Sequence, residues 1–491
     1  MNKKNSLFVF MFFILLSKIY SQEFDTNSFD LKVDSLMRVW NIPGCSISIV
    51  KDSSILYSKG YGFADIENNV RAEISTIYGI ASCSKAITCF ALGLLSEQNK
   101  LDWSKPINFY YPEFILSDPY ITANITALDL VTHRSGYPAN DMLWYNSGKS
   151  REELVELIRY LIPNKSFRSY FQYNNLMYIA AGELVEKISG KTWEEFVNEK
   201  IFNPLEMKNS TFSINDVKNN KKNSLRYIFK NNKHEKIEML NADNIGGAGS
   251  INSTVSDMSN WLIMQINKGM FKGKRVISES ELQFLQKPVM AIHTPIVYPE
   301  LFYLSYACGW YVTTYKGDII LRHAGALDGV STLTSFMPDK KYGVIVVANL
   351  DEAANFTSSV TYFIYDLLNK NTLTKWSDRF IDEIVNNKPA ENLIDNSEKQ
   401  SITHKLSDYI GEYNNLPYGK VIISNKNGVL YFGYNAFNFP LKHLSYNTFE
   451  IENEYVFGNM KINFEIDFEG NIKKLSIPFE RRTENVVFLK K

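Results

Sequence analysis

Ser82 and Lys85 are the residues of this 491-residue chain whose types and spacing point most directly to chemistry. They stand in Ile80-Ala81-Ser82-Cys83-Ser84-Lys85-Ala86, at the start of a helical pattern. Apolar residues recur at Ala86, Ile87, Phe90, Ala91, Leu94 and Leu95, the stripe of a 3.6-residue period. Positions i and i+3 share a helix face, so the Lys85 amine can reach the Ser82 hydroxyl. A serine hydroxyl is a weak nucleophile until a neighbouring base takes its proton. Ser84 points to another face. S-x-x-K is a known serine-acylation motif. Two further motifs accompany it. Tyr173-Asn174-Asn175 gives Y-x-N just before a second stripe, Met177, Ala180, Ala181, Leu184, Val185 and Ile188, with Gly190 where a helix C-cap glycine belongs. His323-Ala324-Gly325 gives H-x-G at the end of a strand-like run, Asp318 to Arg322.

The elements that must position these motifs form a broken pattern. Cys45 to Val50 and Ile55 to Tyr57 read as a hairpin around Lys51-Asp52-Ser53-Ser54. Four more strand-like runs follow late in the chain: Tyr306 to Val312, Ile319 to Arg322, Ser331 to Phe336 and Gly343 to Ala348. Short turns between them imply an antiparallel sheet. A helix over about Asn355 to Leu368 follows. The middle, roughly 106–285, is mostly helical pattern with loops. The chain therefore starts a sheet, leaves for a helical region, and returns to finish the sheet.

With these three motifs in this order, the chain resembles the serine β-lactamase and penicillin-binding-protein superfamily, in its class C-like branch. The resemblance covers roughly residues 28–370. Leu130-Val131-Thr132-His133-Arg134-Ser135-Gly136 is similar to that family's LxTHxSG segment, and Asn203-Pro204-Leu205-Glu206-Met207 to its PLGM turn. Gly246-Gly247-Ala248-Gly249-Ser250 with Ser253-Thr254-Val255-Ser256-Asp257 is similar to its GGxxSTxxD segment.

The resemblance implies an α/β fold, an antiparallel sheet flanked by helices with an inserted helical domain, and an active site between the two. It implies an acyl-enzyme on Ser82, with Lys85 and Tyr173 as the proton-handling pair. Tyr173 is the expected base, helped by the charge of Lys85. Asn175 is expected to orient the Lys85 amine and a substrate amide. The backbone N–H groups of Ser82 and Ala326 are the expected oxyanion hole. His323 and Gly325 are expected at the substrate, Gly325 letting its backbone approach closely. His323 stands where β-lactamases usually carry a lysine, and a histidine is charged only partly at neutral pH. That departure favours an amidase or peptidase for peptides with D-amino-acid character. A β-lactamase or carboxylesterase, an acyltransferase and a slowly turning-over penicillin-binding sensor use the same machinery.

Lysine plus arginine equals aspartate plus glutamate, 53 each, which gives no electrostatic argument for nucleic acid or an anionic membrane. The expected partner is a small-molecule or peptide substrate. No cofactor is expected, because the six histidines show no H-E-x-x-H spacing for a catalytic zinc. Residues 1–21 read as a signal peptide, with Lys3 and Lys4 before the apolar run Leu7 to Leu16, which is too short to span a bilayer. With Gln22 as the first mature residue and no lipobox cysteine, the expected location is periplasmic or secreted. Cys83 and Cys89 point to different helix faces. Cys45 and Cys308 both fall in predicted strands, so their pairing stays open, with free buried thiols favoured. His133 is read as fixing a loop, and Glu199 to Asn203 as helix-end structure.

Residues 371–403 read as a polar linker with some helix. Residues 404–491 are an all-β module whose runs are split by Asn425-Lys426-Asn427-Gly428 and Glu469-Gly470-Asn471. The module resembles the lipocalin-like C-terminal domains of many family members. It carries no catalytic pattern, and acylation of Ser82 is expected to persist without it.

Overall fold

The computed structural model describes residues 24–386, 400–453, 457–458, 460–480 and 483–491. The signal-peptide reading of residues 1–21 lies outside them. Among the described residues no helix is long and apolar enough to cross a membrane.

The frame is a nine-stranded antiparallel sheet. Its early strands are β1 (Gly44–Lys51), β2 (Ser54–Asp65) and β3 (Val70–Arg71). Its late strands are β4 (Met290–Ala291), β5 (Leu301–Tyr306), β6 (Tyr311–Tyr315), β7 (Asp318–Leu327), β8 (Val330–Met337) and β9 (Tyr342–Ala348). The order across the sheet is β4-β5-β6-β7-β8-β9-β1-β2-β3. Thus the chain's return places β9 beside β1, with Cys45 opposite Ala348 and Lys51 opposite Tyr342.

The central strands are covered on both faces. Along β1, Cys45, Ile47 and Ile49 enter one core while Val50 enters the other. On β9, Val344 and Val346 share the first core, and Ile345 and Val347 the second. This period-2 division produces a nearly continuous apolar run in sequence. The first face is covered by α1 (Thr26–Val39) and by α5 (Ala354–Leu368) and α6 (Trp376–Asn386). The second carries α2 (Ser84–Glu97), α3 (Asn175–Ser189) and α4 (Val255–Ile266). Ser48 and Ser259, on β1 and α4, satisfy each other with a 2.7 Å hydrogen bond inside that layer.

Three expectations need correction. The run Tyr306 to Val312 is not one strand but the end of β5, a turn and the start of β6. Gly309 in that turn has φ 77°, and an added Cβ would lie 2.6 Å from the Ala86 backbone of α2. The sheet edge therefore folds directly onto the helix that follows Ser82. Cys308 lies in this turn, in the second core, whereas Cys45 lies in the first. The sheet separates them, and all four thiols are free and buried. The helical middle also contains a hairpin, Arg226–Lys230 with Lys233–Ile237.

Of the stretch read as linker, residues 387–399 lie outside the described residues; before them stands α6, whose Trp376 and Phe380 are buried in the first core. The C-terminal strands close into an eight-stranded barrel. They are β10 (Gly411–Asn415), β11 (Gly419–Lys426), β12 (Val429–Tyr434), β13 (Phe437–Ser445), β14 (Thr448–Ile451), β15 (Lys461–Ile466), β16 (Ile472–Ile477) and β17 (Val486–Lys490). Asn427 and Gly428, both at positive φ, make the tight turn between β11 and β12. The barrel interior is filled by Tyr409, Tyr413, Phe432, Phe449, Phe464 and Phe488 among others, so it is a packed core.

Candidate active site

Ser82 sits in a short 3-10 turn, Ala81–Cys83, that runs into α2. Ala81 is held at φ 49°, a left-handed conformation that costs a non-glycine residue energy. The turn is clamped from two sides. Ile80 N–H donates to Ile251 O at 3.0 Å, and the Cys83 thiol donates to His323 O at 3.2 Å. On the β7 side, an added Cβ at Gly325 would lie 2.1 Å from Ile80 O. Gly325 is therefore required by the protein's own backbone. Gly325→Ala is expected to push β7 from the Ser82 turn. The cost should be about 1–3 kcal/mol, as for other overpacked sites, with a matching drop in Tm. An unchanged melting curve would show that the strand can shift freely.

Lys85 is fully buried one helical turn on. Its Nζ lies 3.1 Å from Ser82 Oγ, 2.7 Å from Asn175 Oδ1 and 2.7 Å from Ala248 O. Burial drives its pKa down from 10.5 to about 7, with the charge of Asp141 opposing the fall. The two carbonyl oxygens can only accept. A neutral amine has two N–H bonds and one lone pair, so donating to both carbonyls leaves the lone pair for the Ser82 hydroxyl.

The glycine-rich segment supplies one of those carbonyls. Gly247 O accepts from Thr88 Oγ1 at 2.7 Å, and the next carbonyl, Ala248 O, meets Lys85. An added Cβ at Gly247 would lie 2.9 Å from Thr88 Oγ1, so a side chain there would prise the segment off α2. Further along, Asp257 accepts from Asn209 N–H at 2.7 Å and from Ser210 Oγ at 2.9 Å. It ties the segment to the turn after Asn203-Pro204-Leu205.

Tyr173 and Asn175 arrive at the start of α3. Asn174 is the N-cap, its Oδ1 accepting from Met177 N–H at 3.0 Å. Asn175 is consequently fixed on the first turn, and its Nδ2 donates to Asp141 Oδ1 at 2.9 Å. The phenol of Tyr173 lies against Ser82, and burial holds its pKa well above 10. The same desolvation thus pushes the amine and the phenol toward their neutral forms. Burial thus disposes Lys85, more than Tyr173, to accept a proton near neutral pH.

His133 packs its ring on Tyr173 at 4.3 Å between centroids, and its Nδ1 accepts from Asn174 N–H at 3.1 Å. It fixes the approach to α3. His323 departs from expectation. It is buried, its Nδ1 bonded to Ala324 O at 2.7 Å and its Nε2 to Tyr306 Oη at 2.9 Å. Burial lowers its pKa to about 3. The imidazole is therefore neutral at physiological pH and supplies no partial positive charge. Sequence reasoning missed Asp141, Ala248 O and Tyr306. No motif marks the loop holding Asp141.

A cavity of about 840 Å³ lies on the other face of the sheet, lined in part by Tyr303, Arg322, Tyr362 and Phe380. It is separate from the Ser82 cluster. Among the described residues no group of three or more His, Cys, Asp or Glu side chains is arranged to hold a metal.

Comparison with known proteins finds relatives in sequence and in structure. A hydrolase from Aspergillus campestris, the unguisins hydrolase ungD', is 29% identical over 346 residues, spanning 67% of this chain and 62% of that protein. Protein flp of Staphylococcus aureus (strain MW2) is 26% identical over 335 residues, 66% of this chain and 64% of its own. The chain thus spans somewhat under two thirds of the length of these relatives. Among solved structures, the octameric penicillin-binding protein homologue from Pyrococcus abyssi superposes with a TM-score of 0.65 at 22% identity, over 95% of this chain and 100% of that one. A D-stereospecific amidohydrolase from Streptomyces superposes with a TM-score of 0.56 at 18% identity, over 66% of this chain and 94% of that one. These structures share the fold. Residues 395–490 match a domain of unknown function, DUF3471. Residues 29–368 match the Beta-lactamase family, and the chain belongs to it.

Proposed function

We propose that the protein is an exported serine hydrolase that forms an acyl-enzyme at Ser82 on an amide or ester, with peptides of D-amino-acid character as the leading substrate class. The observation that carries this reading is the buried Lys85 amine 3.1 Å from Ser82 Oγ with two carbonyl oxygens at 2.7 Å, an arrangement in which a neutral amine has its lone pair to offer the Ser82 hydroxyl. In this reaction Lys85 takes the Ser82 proton as Oγ attacks the carbonyl carbon. The backbone N–H groups of Ser82 and Ala326 stabilise the oxyanion. Tyr173, protonated throughout, orients the Ser82 hydroxyl. Collapse breaks the bond to the leaving amine or alcohol, which takes the proton from Lys85. Water then enters, gives a proton to the same amine, and its oxygen attacks the acyl carbon. The acid is released and Ser82 regains its proton.

The neutral His323 bears on the substrate. Where a lysine would attract a free carboxylate, this site offers an uncharged ring hydrogen-bonded to Tyr306. Tyr306 and Tyr311 pack against it at 6.0 and 5.4 Å between centroids. This environment favours uncharged acyl groups over penicillin-like carboxylates. The relative named as a hydrolase of unguisins supports the hydrolase class. Export rests on the Lys3 and Lys4 n-region and the apolar run from Leu7 to Leu16. Mature protein recovered from outside the cytoplasm should begin at Gln22.

The test is intact-mass analysis of the protein with a penicillin and, in parallel, with an activated D-alanyl ester. Rapid ester turnover with no penicilloyl adduct is the expected result. A stable penicilloyl adduct on Ser82 would favour the penicillin-binding sensor. Turnover of neither compound, with no adduct, would count against the acyl-enzyme reading.

A further inference from the structure

The loop from Pro138 to Ser147 runs between the catalytic helices and the C-terminal barrel, and the barrel holds it by several side chains. Tyr418 Oη donates to Asn140 Oδ1 at 2.8 Å in a buried contact. The Glu480 carboxyl lies against the backbone of Asn140 and Asp141. Tyr434 Oη and Asn435 Nδ2 donate to Met142 O at 3.0 and 3.2 Å, and Asn435 Nδ2 also reaches Tyr145 O at 3.0 Å. Phe437 stacks on Tyr145 with ring centroids 5.6 Å apart. Asn140 is left-handed, with φ 51°, a conformation asparagine adopts readily in a turn. Burial, with the charge of Asp141 added, raises Glu480 to about 7, as expected of a carboxyl taken out of water to make this contact.

Behind the loop the contacts run straight to the nucleophile. Asp141 Oδ1 accepts from Asn175 Nδ2 at 2.9 Å, Asn175 Oδ1 accepts from Lys85 Nζ at 2.7 Å, and Lys85 Nζ lies 3.1 Å from Ser82 Oγ. An amide group can present either its oxygen or its nitrogen to a neighbour. A carboxylate accepts only. Asp141 therefore decides which way the Asn175 amide faces, and puts its oxygen on Lys85.

We propose that the C-terminal barrel is a positioning element of the catalytic centre: through Tyr418, Tyr434 and Asn435 it holds the loop from Asn140 to Tyr145, with Glu480 against the Asn140–Asp141 backbone, and Asp141 in turn aims the Asn175 amide at the Lys85 amine. The proposal rests on the acyl-enzyme reading of Ser82 given above. It leaves the expectation that Ser82 can be acylated without residues 404–491, and makes those residues set the rate. It also gives the domain of unknown function a task in this chain, which its packed interior could not perform by holding a ligand.

The test uses the full-length chain and the rate at which a fluorophosphonate probe labels Ser82, measured across pH, with thermal melts alongside. Tyr418→Phe deletes one oxygen from a packed ring and leaves the barrel able to fold. Glu480→Ala removes the carboxyl, while Glu480→Gln keeps a side chain of the same shape. A misplacement of about 1 Å at a catalytic group costs up to roughly 100-fold in rate, so slowing by about tenfold or more is expected for Glu480→Ala and for the Tyr418→Phe/Asn435→Ala pair. Glu480→Gln should restore most of the rate. The groups facing Lys85 are Cys83, Cys89, Tyr173, Tyr178, His133, His323 and Asp141. Asp141 is the carboxylate among them, and it raises the lysine's pKa. Its displacement should therefore move the pH midpoint of labelling downward, which a merely structural loss of folded protein would not do. Folded variants that label at the wild-type rate with the wild-type midpoint overturn the positioning role alone. A wild-type protein unlabelled at Ser82 overturns the acyl-enzyme reading, and the proposal with it.

Discussion

Ser82→Ala is expected to abolish covalent labelling and turnover while leaving the protein folded. The fold does not depend on this hydroxyl. Ser82 is partly exposed, and its turn is held by Ile80, Cys83 and Gly325 rather than by Oγ. When Oγ is removed, Lys85 still donates to Asn175 and Ala248, so a neutral amine keeps both of its N–H partners. The stability change should therefore stay near 1 kcal/mol, the net worth of one hydrogen bond. The kinetic change should be very large, on the order of 10⁶ in kcat, because the other catalytic groups have nothing to activate. Circular dichroism and a melting curve check the first expectation; an ester assay checks the second. Hydrolysis that survives in a folded Ser82→Ala protein would sink the assignment.

The parts of the site that were readable from sequence share a physical property. Ser82, Lys85, Tyr173 and Asn175 lie at or just before the first turn of an amphipathic helix, where an apolar stripe begins and local pattern fixes position. His323 and Gly325 lie near the end of a strand whose alternation is visible. The parts that were not readable depend on tertiary packing. Asp141 sits in an irregular loop without periodicity, and its importance comes from contacts with Asn175 and with the barrel. Ala248 acts through a backbone carbonyl that any residue type provides. The lowered pKa values of His323 and Lys85 and the raised one of Tyr173 follow from burial, which a motif does not encode.

The fold shows the same division. The sheet's order followed from consecutive strands and from the chain's return to β1. The turn at Ala307 to Trp310 was hidden because Tyr306, Ala307, Cys308, Trp310, Tyr311 and Val312 read as one apolar run, broken only by Gly309. In the barrel, β10 and β13 carry no clean apolar run, because polar residues such as Glu412, Asn414, Asn438 and Lys442 face outward along them. Closure itself joins Tyr413 of the first strand to Lys490 of the last, a contact with no local signature. The barrel's grip on the Asn140 turn is equally non-local, with Tyr418 and Asn140 far apart in the chain.

The pH dependence of acylation should identify the base. Lys85 is lowered to about 7, and kcat/KM for ester cleavage should rise as its proton leaves, with a midpoint near that value. Tyr173, held well above 10, should contribute no limb below about pH 9. The profile should thus rise to a plateau rather than form a bell. Were the Tyr173 phenolate the base, activity would climb only at strongly alkaline pH. Lys85→Met keeps the buried aliphatic volume and removes the amine. It should cost about 10²–10⁴ in acylation rate, the usual contribution of general-base catalysis, and erase the limb near neutral pH. Tyr173→Phe should slow the reaction while leaving the midpoint in place. The same shift acts on stability with a definite sign. Between about 7 and 10.5 the unfolded chain holds a proton on Lys85 that the folded protein has released. The unfolded state binds more protons there, so this group's contribution to stability rises with pH across that window. Below it both states are protonated and the cost of burying the charged amine is present in full. Wild-type and Lys85→Met melting curves, compared across the window, should converge or diverge with that slope. A Lys85→Met protein that keeps a kinetic midpoint near 7 would assign the titration to another group and remove the lysine from the role of base.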